Sequence, residues 1–474
     1  MIPFNQTKIV CTIGPATESK AMMRKLILAG MDVMRLNFSH SNYEEHKKRL
    51  DTMLELNDEL NCNVASLLDT KGPEIRTHKF KGGSAHIKVG TEITIYMDEI
   101  EGDETKFSVT YPQLYDDVAV GGIIVVDDGY LSLKITEVDK SNKTIKAVAF
   151  NTHTIKDRRG INVPGVELKL DFISDKDEAD IQWACKNNID FIAASFVRRR
   201  SDVTAIKKLI QKTCDKKIQI IAKIENQEGV NNIDDIIDEA DGVMIARGDL
   251  GVEVPPEEVP VIQKDIIARC HERGKVTITA TQMLESMQEN PKPTRAEVSD
   301  VANSILDGTD AIMLSGESAI GKYPVESVDI MRNIAKRIEK EIKRIDLIDR
   351  ANRHSHQDIS ANIAMSAART VLQGNANLVI APSVSGTTAR LISKNRPNTM
   401  ILALVPTKQK ARSLALNHGV YAVVFKLEND TEDLIKRALE YVRKEKLLSS
   451  GGRVVITGGF PLGTTTNSLR IVDA

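Results

Sequence analysis

The sequence predicts a (β/α)8 barrel that carries an inserted antiparallel β-barrel and is followed by a second α/β domain with a mostly parallel sheet. Three observations carry this reading. Short apolar runs alternate with helical segments eight times between residues 8 and 324. The rhythm breaks once, from about 77 to 169, where short alternating segments with Gly, Asp and Asn turns replace it. Polar residues stand just past the ends of at least seven of the eight runs, where parallel α/β folds gather their reactive groups.

Taken in order, KIVCTIGPA (8–16) is a strand closed by a Gly-Pro turn, with a helix from about 19 to 29. MDVMRLNFSH (31–40) is the second strand, and a charged amphipathic helix covers 43–60. NVASLLDTKGPEIR (63–76) is the third, and the inserted β-structure follows it, with no helical periodicity. Gly160 to Pro164 is the return hinge, and the α/β rhythm resumes at Asp171. A capped helix (174–188) leads to the fourth strand DFIAASFV (190–197), and another helix spans 201–214. Ile218 to Ile221 begins the fifth strand and Gly242 to Ala246 forms the sixth, with a helix at 230–239 between them. After a helix at 255–274 come the seventh strand (275–287), a helix (294–308) and the eighth strand (310–324). A long helix (324–344) then enters a polar linker (344–357). Beyond it, a helix (358–373) and the strands LVIAPS, MILALV, YAVVF and RVVITGG, with helices at 408–417 and 431–447, make the second α/β unit. The expected domains are 1–71 with 171–342, the insertion 72–170, and 343–474.

Composition narrows the function. The 474 residues are 41% hydrophobic and 27% charged, which fits two or three globular domains. With 64 basic and 66 acidic residues there is no general attraction to nucleic acid or to an anionic membrane. Five scattered cysteines without CxxC or metal-ligand spacing read as reduced thiols of a cytoplasmic protein. The N-terminus has no basic leader, and no apolar run is long enough to span a membrane. A P-loop nucleotide site is excluded, since GxxxxGK[ST] does not occur.

The chemistry concentrates in KIQIIAKIENQEGVNNIDDIIDEADGVMIARGDLG (217–251). Lys223, Glu225 and Asn226 end one strand, and Arg247, Gly248 and Asp249 end the next. Glu225 and Asp249 suit one hard divalent cation, with Lys223 beside it for a phosphoryl or enolate oxygen. Asn37, Ser39, Asp69 and Thr70 offer only oxygen ligands with one full charge, which suits a large monovalent cation better than Mg²⁺. Arg35 and Arg76 have the fork geometry for phosphate. His40 either touches a nucleotide or caps a helix. Thr281, Ser315 and Glu317 end the seventh and eighth strands. In the last domain, Ser383-Val384-Ser385-Gly386-Thr387-Thr388 joins a strand to a helix N-terminus, and GGFPLGTTTNSL (458–469) has a similar makeup. Such loops suit a phosphorylated ligand. No catalytic base or metal pair accompanies them, so that ligand would regulate rather than react.

The motifs RLNFSH, LDTKGPEIR, IIAKIENQEG, ARGDLGVE, ITATQMLESM and PTRAEVSDVANSILDGTDAIMLSGESAIGKYP, with both C-terminal loops, together resemble the pyruvate kinase family, in its order and over essentially the whole chain. The resemblance implies phosphoryl transfer from phosphoenolpyruvate to ADP, giving pyruvate and ATP. It implies Mg²⁺ (or Mn²⁺) on Glu225 and Asp249, Lys223 on the phosphoryl in transit, and the substrate carboxylate at Gly248, Asp249 and Thr281. Arg35 would hold phosphate, Ser315 and Glu317 would join a proton relay, and Arg76, His40, Asn37 and Arg159 would lie toward the nucleotide. Arg159 stands where the family commonly has Lys. Asn37, Ser39, Asp69 and Thr70 resemble the family's K⁺ site, and Glu74 stands where K⁺-dependent members carry Glu. The insertion would close as a lid. Ser383, Ser385, Gly386, Thr387, Thr388, Gly463, Thr464 and Thr465 resemble a sugar-phosphate effector site, and the family is usually a homotetramer. Two rival readings are a divalent-metal lyase acting on pyruvate enolate and a catalytically silent sugar-phosphate sensor.

Overall fold

The computed structural model describes residues 3–342, 344–351, 358–427, 430–448 and 451–473. Eight strands close a parallel barrel: β1 (Lys8–Thr12), β2 (Val33–Asn37), β3 (Ala65–Asp69), β4 (Phe191–Ala194), β5 (Gln219–Ile224), β6 (Gly242–Ala246), β7 (Val276–Ala280) and β8 (Ala311–Leu314). They pair in chain order, and β8 closes on β1 with Lys8 opposite Ala311.

The period of two along each strand sorts side chains to two cores. Ile9, Met34, Leu68, Ile220, Ala222 and Ile224 face outward into the layer between strands and helices. Val10, Val33, Ala65, Leu67, Phe191, Ala193, Ile221 and Met244 face inward and fill the barrel. Leu416 of the C-terminal domain joins this inner cluster. That domain is also tied to the barrel by charge: Arg412 Nε lies 3.0 Å from Asp190, and Arg396 Nη2 lies 2.9 Å from Asp310. Lys8 Nζ donates to the Val420 carbonyl at 2.8 Å.

The insertion folds around its own core, which includes Ile93, Phe107, Leu133 and Ile145. Its main sheet is curled and has seven strands, ordered Ile75–Arg76, Gly160–Asn162, Ile123–Val126, Leu131–Asp139, Thr144–Ala149, Glu92–Tyr96 and Lys106–Ser108. Its neighbours pair antiparallel except Glu92–Tyr96 with Lys106–Ser108, which run parallel. A short helix, Leu114–Asp117, lies where no helical period is visible, because four residues are too few to show one.

The C-terminal sheet is ordered β11-β10-β9-β12-β13, with β9 (Leu378–Pro382), β10 (Ile401–Val405), β11 (Val420–Val424), β12 (Arg453–Gly458) and β13 (Ser468–Asp473). The first four of these are parallel, and β13 is antiparallel on the edge. Sequence reading misses β13, because an exposed edge strand lacks the apolar alternation of a half-buried one. Ser468 and Leu469 therefore belong to it rather than to the preceding loop.

Other boundaries move for local reasons. The third strand stops at Asp69 because Gly72, at φ 75°, and Pro73 turn the chain, and Ile75–Arg76 joins the inserted sheet. Segment 230–239 is two helices, Gln227–Asn231 and Ile233–Glu239, with Asn232 between them. The long helix ends at Ile338, and Arg344–Ala351, read as linker, is helical. The rest of that linker, 352–357, lies outside the described residues. No helix among the described residues is long and apolar enough to cross a membrane.

Candidate active site

The inward rows explain which residues meet. Each row continues past its last apolar residue into the barrel mouth: Val33 to Arg35, Ala65 and Leu67 to Asp69, Phe191 and Ala193 to Ser195, Ile221 to Lys223. Their polar ends converge. Lys223 Nζ lies 3.0 Å from Asp69 Oδ1 and 2.9 Å from Glu225 Oε1, and donates to Ser195 Oγ at 2.6 Å. Asp69 also accepts from Arg35 Nε at 2.7 Å and from Ser195 Oγ at 3.2 Å. Arg35 Nη1 donates to Thr12 Oγ1 at 2.9 Å.

All of these groups are buried, so the electrostatics are strong. Burial alone would lower the Lys223 ammonium, but Asp69, Glu225 and Asp249 outweigh it and raise its pKa. Burial would raise Asp69, yet Arg35 and Lys223 hold it below the usual carboxylate range. Glu225 and Asp249 are both pushed upward by burial, and their mutual repulsion adds to the rise in Glu225. Glu225 Oε2 accepts the Phe196 N–H at 2.6 Å. This carboxyl pair has more negative charge than its neighbours neutralise, which is the condition a divalent cation relieves.

Asp249 sits in the first turn of the helix Arg247–Glu253, which sequence reading misses because Gly248 and Gly251 interrupt it. Arg247 anchors that turn, donating to Asp300 at 2.6 Å and to the Thr281 carbonyl at 2.7 Å. The Gly248 N–H donates to Thr281 Oγ1 at 2.7 Å, so the predicted carboxylate cradle and Thr281 are joined. Thr281 and Gln282 hold left-handed backbone, φ 67° and 53°, which turns the chain across the mouth. Ser315 follows the inward row of Ala311 and Met313, and its buried hydroxyl has no hydrogen-bond partner among the described residues. Glu317 takes the Ser315 and Leu284 N–H groups at 2.8 and 3.0 Å, and burial raises its pKa.

Asn37 and Asp69 are register partners across β2 and β3. The Asn37 side-chain oxygen accepts the Ser39 N–H at 3.1 Å, and Thr70 Oγ1 accepts the Ser195 N–H at 3.1 Å. Glu74 is ion-paired with Arg76 at 2.7 Å and lies 3.9 Å from Lys71. Arg76 Nη1 donates to the Arg158 carbonyl at 2.9 Å, and Arg159 Nη1 lies 3.5 Å from Asp127, so both arginines sit at the root of the insertion. A cavity of about 150 Å³ between insertion and barrel is lined by Glu74, Asp128, Gly160, Asn226, Asp249 and Glu253, among others. His40 is exposed at the rim, its carbonyl oxygen taking the His46 Nε2–H at 3.0 Å.

The C-terminal loops meet as well. Gly386, at φ 84°, caps the helix Thr387–Lys394, and its N–H donates to Ser383 Oγ at 3.0 Å. The Ser385 and Thr387 hydroxyls are 2.8 Å apart. Thr388 Oγ1 lies 2.8 Å from Thr466 Oγ1, beside Gly463, Thr464 and Thr465 in the second loop. Sequence reasoning missed Ser195, whose signal is the inward row through Phe191 and Ala193. Thr466 lies in the 458–469 loop that the sequence marks, one residue beyond the Gly463, Thr464 and Thr465 singled out there.

A family model described as pyruvate kinase, barrel domain, matches residues 4–328, and one described as pyruvate kinase, alpha/beta domain, matches 361–472. A pyruvate kinase of Staphylococcus saprophyticus is 49% identical over 472 residues, which is 99% of this chain and 80% of the relative. One of Staphylococcus aureus is 48% identical with the same coverage. The crystal structure of a pyruvate kinase from Cryptosporidium parvum superposes with a TM-score of 0.94 at 38% identity, covering 99% of this chain and 96% of that one.

Proposed function

The chain belongs to the pyruvate kinase family, a phosphotransferase acting on phosphoenolpyruvate and ADP, and from that premise we propose how its residues carry out the transfer. The observation that carries the reading is Lys223, a buried ammonium held 3.0 Å from Asp69 and 2.9 Å from Glu225 at the barrel mouth. Phosphoryl transfer needs positioning and neutralised charge more than covalent chemistry. Lys223 would donate to the phosphoryl group in transit, and Arg35 to a phosphate oxygen, with Asp69 keeping the two cations at fixed spacing. Ser195 fixes the Lys223 rotamer.

Glu225 and Asp249 would hold the divalent cation, a fit supported by two carboxylates at the ends of neighbouring strands whose nearest cation, Lys223, is shared with Asp69. When bound, Mg²⁺ or Mn²⁺ supplies positive charge to phosphoryl and enolate oxygens. The Gly248 and Asp249 N–H groups and Thr281 would receive the substrate carboxylate, which competes with Thr281 Oγ1 for the Gly248 N–H. The Ser315 hydroxyl would relay a proton from a solvent water to the enolate carbon, taking one proton from the water as it gives up its own, with Glu317 fixing the Ser315 backbone.

We further propose that Asn37, Ser39, Asp69 and Thr70 hold K⁺, supported by their all-oxygen donor set and by the register of Asn37 with Asp69. Arg76 and Arg159, with His40 at the rim, would face the nucleotide. Residues 1–71 and 171–342 would form the catalytic barrel, 72–170 the lid and 343–474 the regulatory domain, a division supported by sheet membership. The joined loops at Ser383–Thr388 and Gly463–Thr465 would take a phosphorylated effector.

The test is ADP-dependent pyruvate formation from phosphoenolpyruvate with Mg²⁺, with and without K⁺, in the parent and in Glu225→Gln. Activity that needs K⁺ and collapses in the variant is expected. Activity without K⁺ would remove the monovalent site from the mechanism, and a fully active variant would remove Glu225.

A further inference from the structure

We propose that Asn162 and Glu253 are positioning residues for the transfer, their hydrogen bond docking the inserted domain onto the helix that carries Asp249. The proposal rests on the reading of Asp249 as a cation ligand. The helix Arg247–Glu253 has only seven residues, and its two ends are held by different bodies. Arg247 pins the first turn to the barrel through Asp300 and the Thr281 carbonyl. Glu253 pins the last turn to the insertion: Asn162, on the return strand Gly160–Asn162, donates Nδ2–H to Glu253 Oε1 at 2.8 Å.

Glu253 follows Asp249 by four residues, so the two lie on one face of the helix. A second contact lies beside the first. The turn Asp127-Asp128-Gly129 holds left-handed backbone throughout, φ 56°, 53° and 86°, and brings the chain against the helix: a Cβ on Gly129 would stand 3.7 Å from Val252 Cγ1. The turn is fixed within the insertion, because Asp127 takes His153 Nε2 at 2.8 Å and lies 3.5 Å from Arg159 Nη1. Asp128, Asn162, Asp249 and Glu253 line one cavity.

A short helix with one end on each body turns when the bodies turn. Displacement of the insertion therefore reaches Asp249 through Glu253, and cation affinity reports where the insertion stands. Glu253 is half-buried where it lines this cavity, and its Asn162 partner comes from the insertion rather than from its own helix.

The test is Mn²⁺ binding to the free full-length enzyme, followed by electron paramagnetic resonance, alongside steady-state KM and kcat for ADP. Glu253→Ala and Asn162→Ala are expected to weaken Mn²⁺ binding about tenfold and raise the ADP KM more than they lower kcat. The double variant is expected to be no worse than the poorer single one. Glu253→Gln, which keeps an acceptor for Asn162, is expected to stay within about twofold of the parent. Should Glu253→Ala fail to fold, Asn162→Ala reports on the same contact from the other side. Asp249→Asn separates the two levels. If it leaves Mn²⁺ binding intact, the underlying assignment fails. If it weakens Mn²⁺ binding while Asn162→Ala leaves binding and KM unchanged, the positioning proposal alone is overturned.

Discussion

Thr388 Oγ1 and Thr466 Oγ1 stand 2.8 Å apart and join the two polar loops of the C-terminal domain across 78 residues of sequence. Either loop alone is an ordinary strand-to-helix or strand-to-strand turn. Joined, they bring the Ser383, Ser385, Thr387, Thr388 and Thr466 hydroxyls together around the Gly386 turn. Replacing Thr388 with Val keeps the shape and removes the tie. The half-saturating concentration of fructose 1,6-bisphosphate, measured by calorimetry, should rise about fivefold, the equivalent of one neutral hydrogen bond. No binding of this or other sugar phosphates to the parent would sink the effector reading.

Lys223→Met should abolish phosphoryl transfer, with kcat falling about a thousandfold. It should also destabilise the fold. Asp69 and Glu225 would lose the cation 3.0 and 2.9 Å away while remaining buried, and Asp69 would keep only Arg35 as counter-charge. Breaking a buried ion pair from one side costs about 3–5 kcal/mol, so the urea midpoint should drop clearly. An unchanged midpoint would mean that the carboxylates are better solvated than the geometry indicates.

Glu74 bears on the K⁺ reading from a distance. It holds Arg76 at 2.7 Å and faces Lys71 at 3.9 Å, so it balances positive charge at the root of the insertion. Glu74→Lys would place a cation there and should let activity persist without K⁺. The measurement is the ratio of kcat/KM with and without K⁺. An equally strict K⁺ requirement in the variant would detach Glu74 from the monovalent site.

The same residues show how far sequence carries. Eight buried strands were legible because each is a compact apolar run, and the end of each run pointed to Lys223, Asp69 and Arg35. Ser195 was not singled out, since a serine after an apolar run is unremarkable until Phe191 and Ala193 are seen to face inward. Helix Arg247–Glu253 was hidden by its two glycines, because tertiary anchoring by Arg247 overrides their poor propensity. The Arg396–Asp310 and Arg412–Asp190 pairs connect positions 86 and 222 residues apart, and nothing local in a sequence encodes such partners.

His46 provides a stability test independent of catalysis. Its ring stacks on Phe38 with centroids 4.1 Å apart, Nε2–H donates to the His40 carbonyl, and the buried Nδ1 has no hydrogen-bond partner among the described residues. Burial, with Arg49 nearby, lowers its pKa to about 4 despite the bond to His40. In the unfolded chain the ring titrates near its ordinary value of about 6.5. Between those two values the unfolded state binds a proton that the folded state refuses, so stability rises with pH across this window. The neutral ring costs nothing above about pH 6.5, and the penalty grows as pH falls toward 4, reaching about 3 kcal/mol. His46→Phe keeps the stack and cannot take up a proton. Urea midpoints of parent and variant between pH 4 and 7 should therefore cross: near neutrality the parent is more stable by the His40 bond, about 1 kcal/mol, and toward pH 4 its larger penalty leaves the variant the more stable. Parallel curves across the whole range would show that His46 titrates normally in the folded protein.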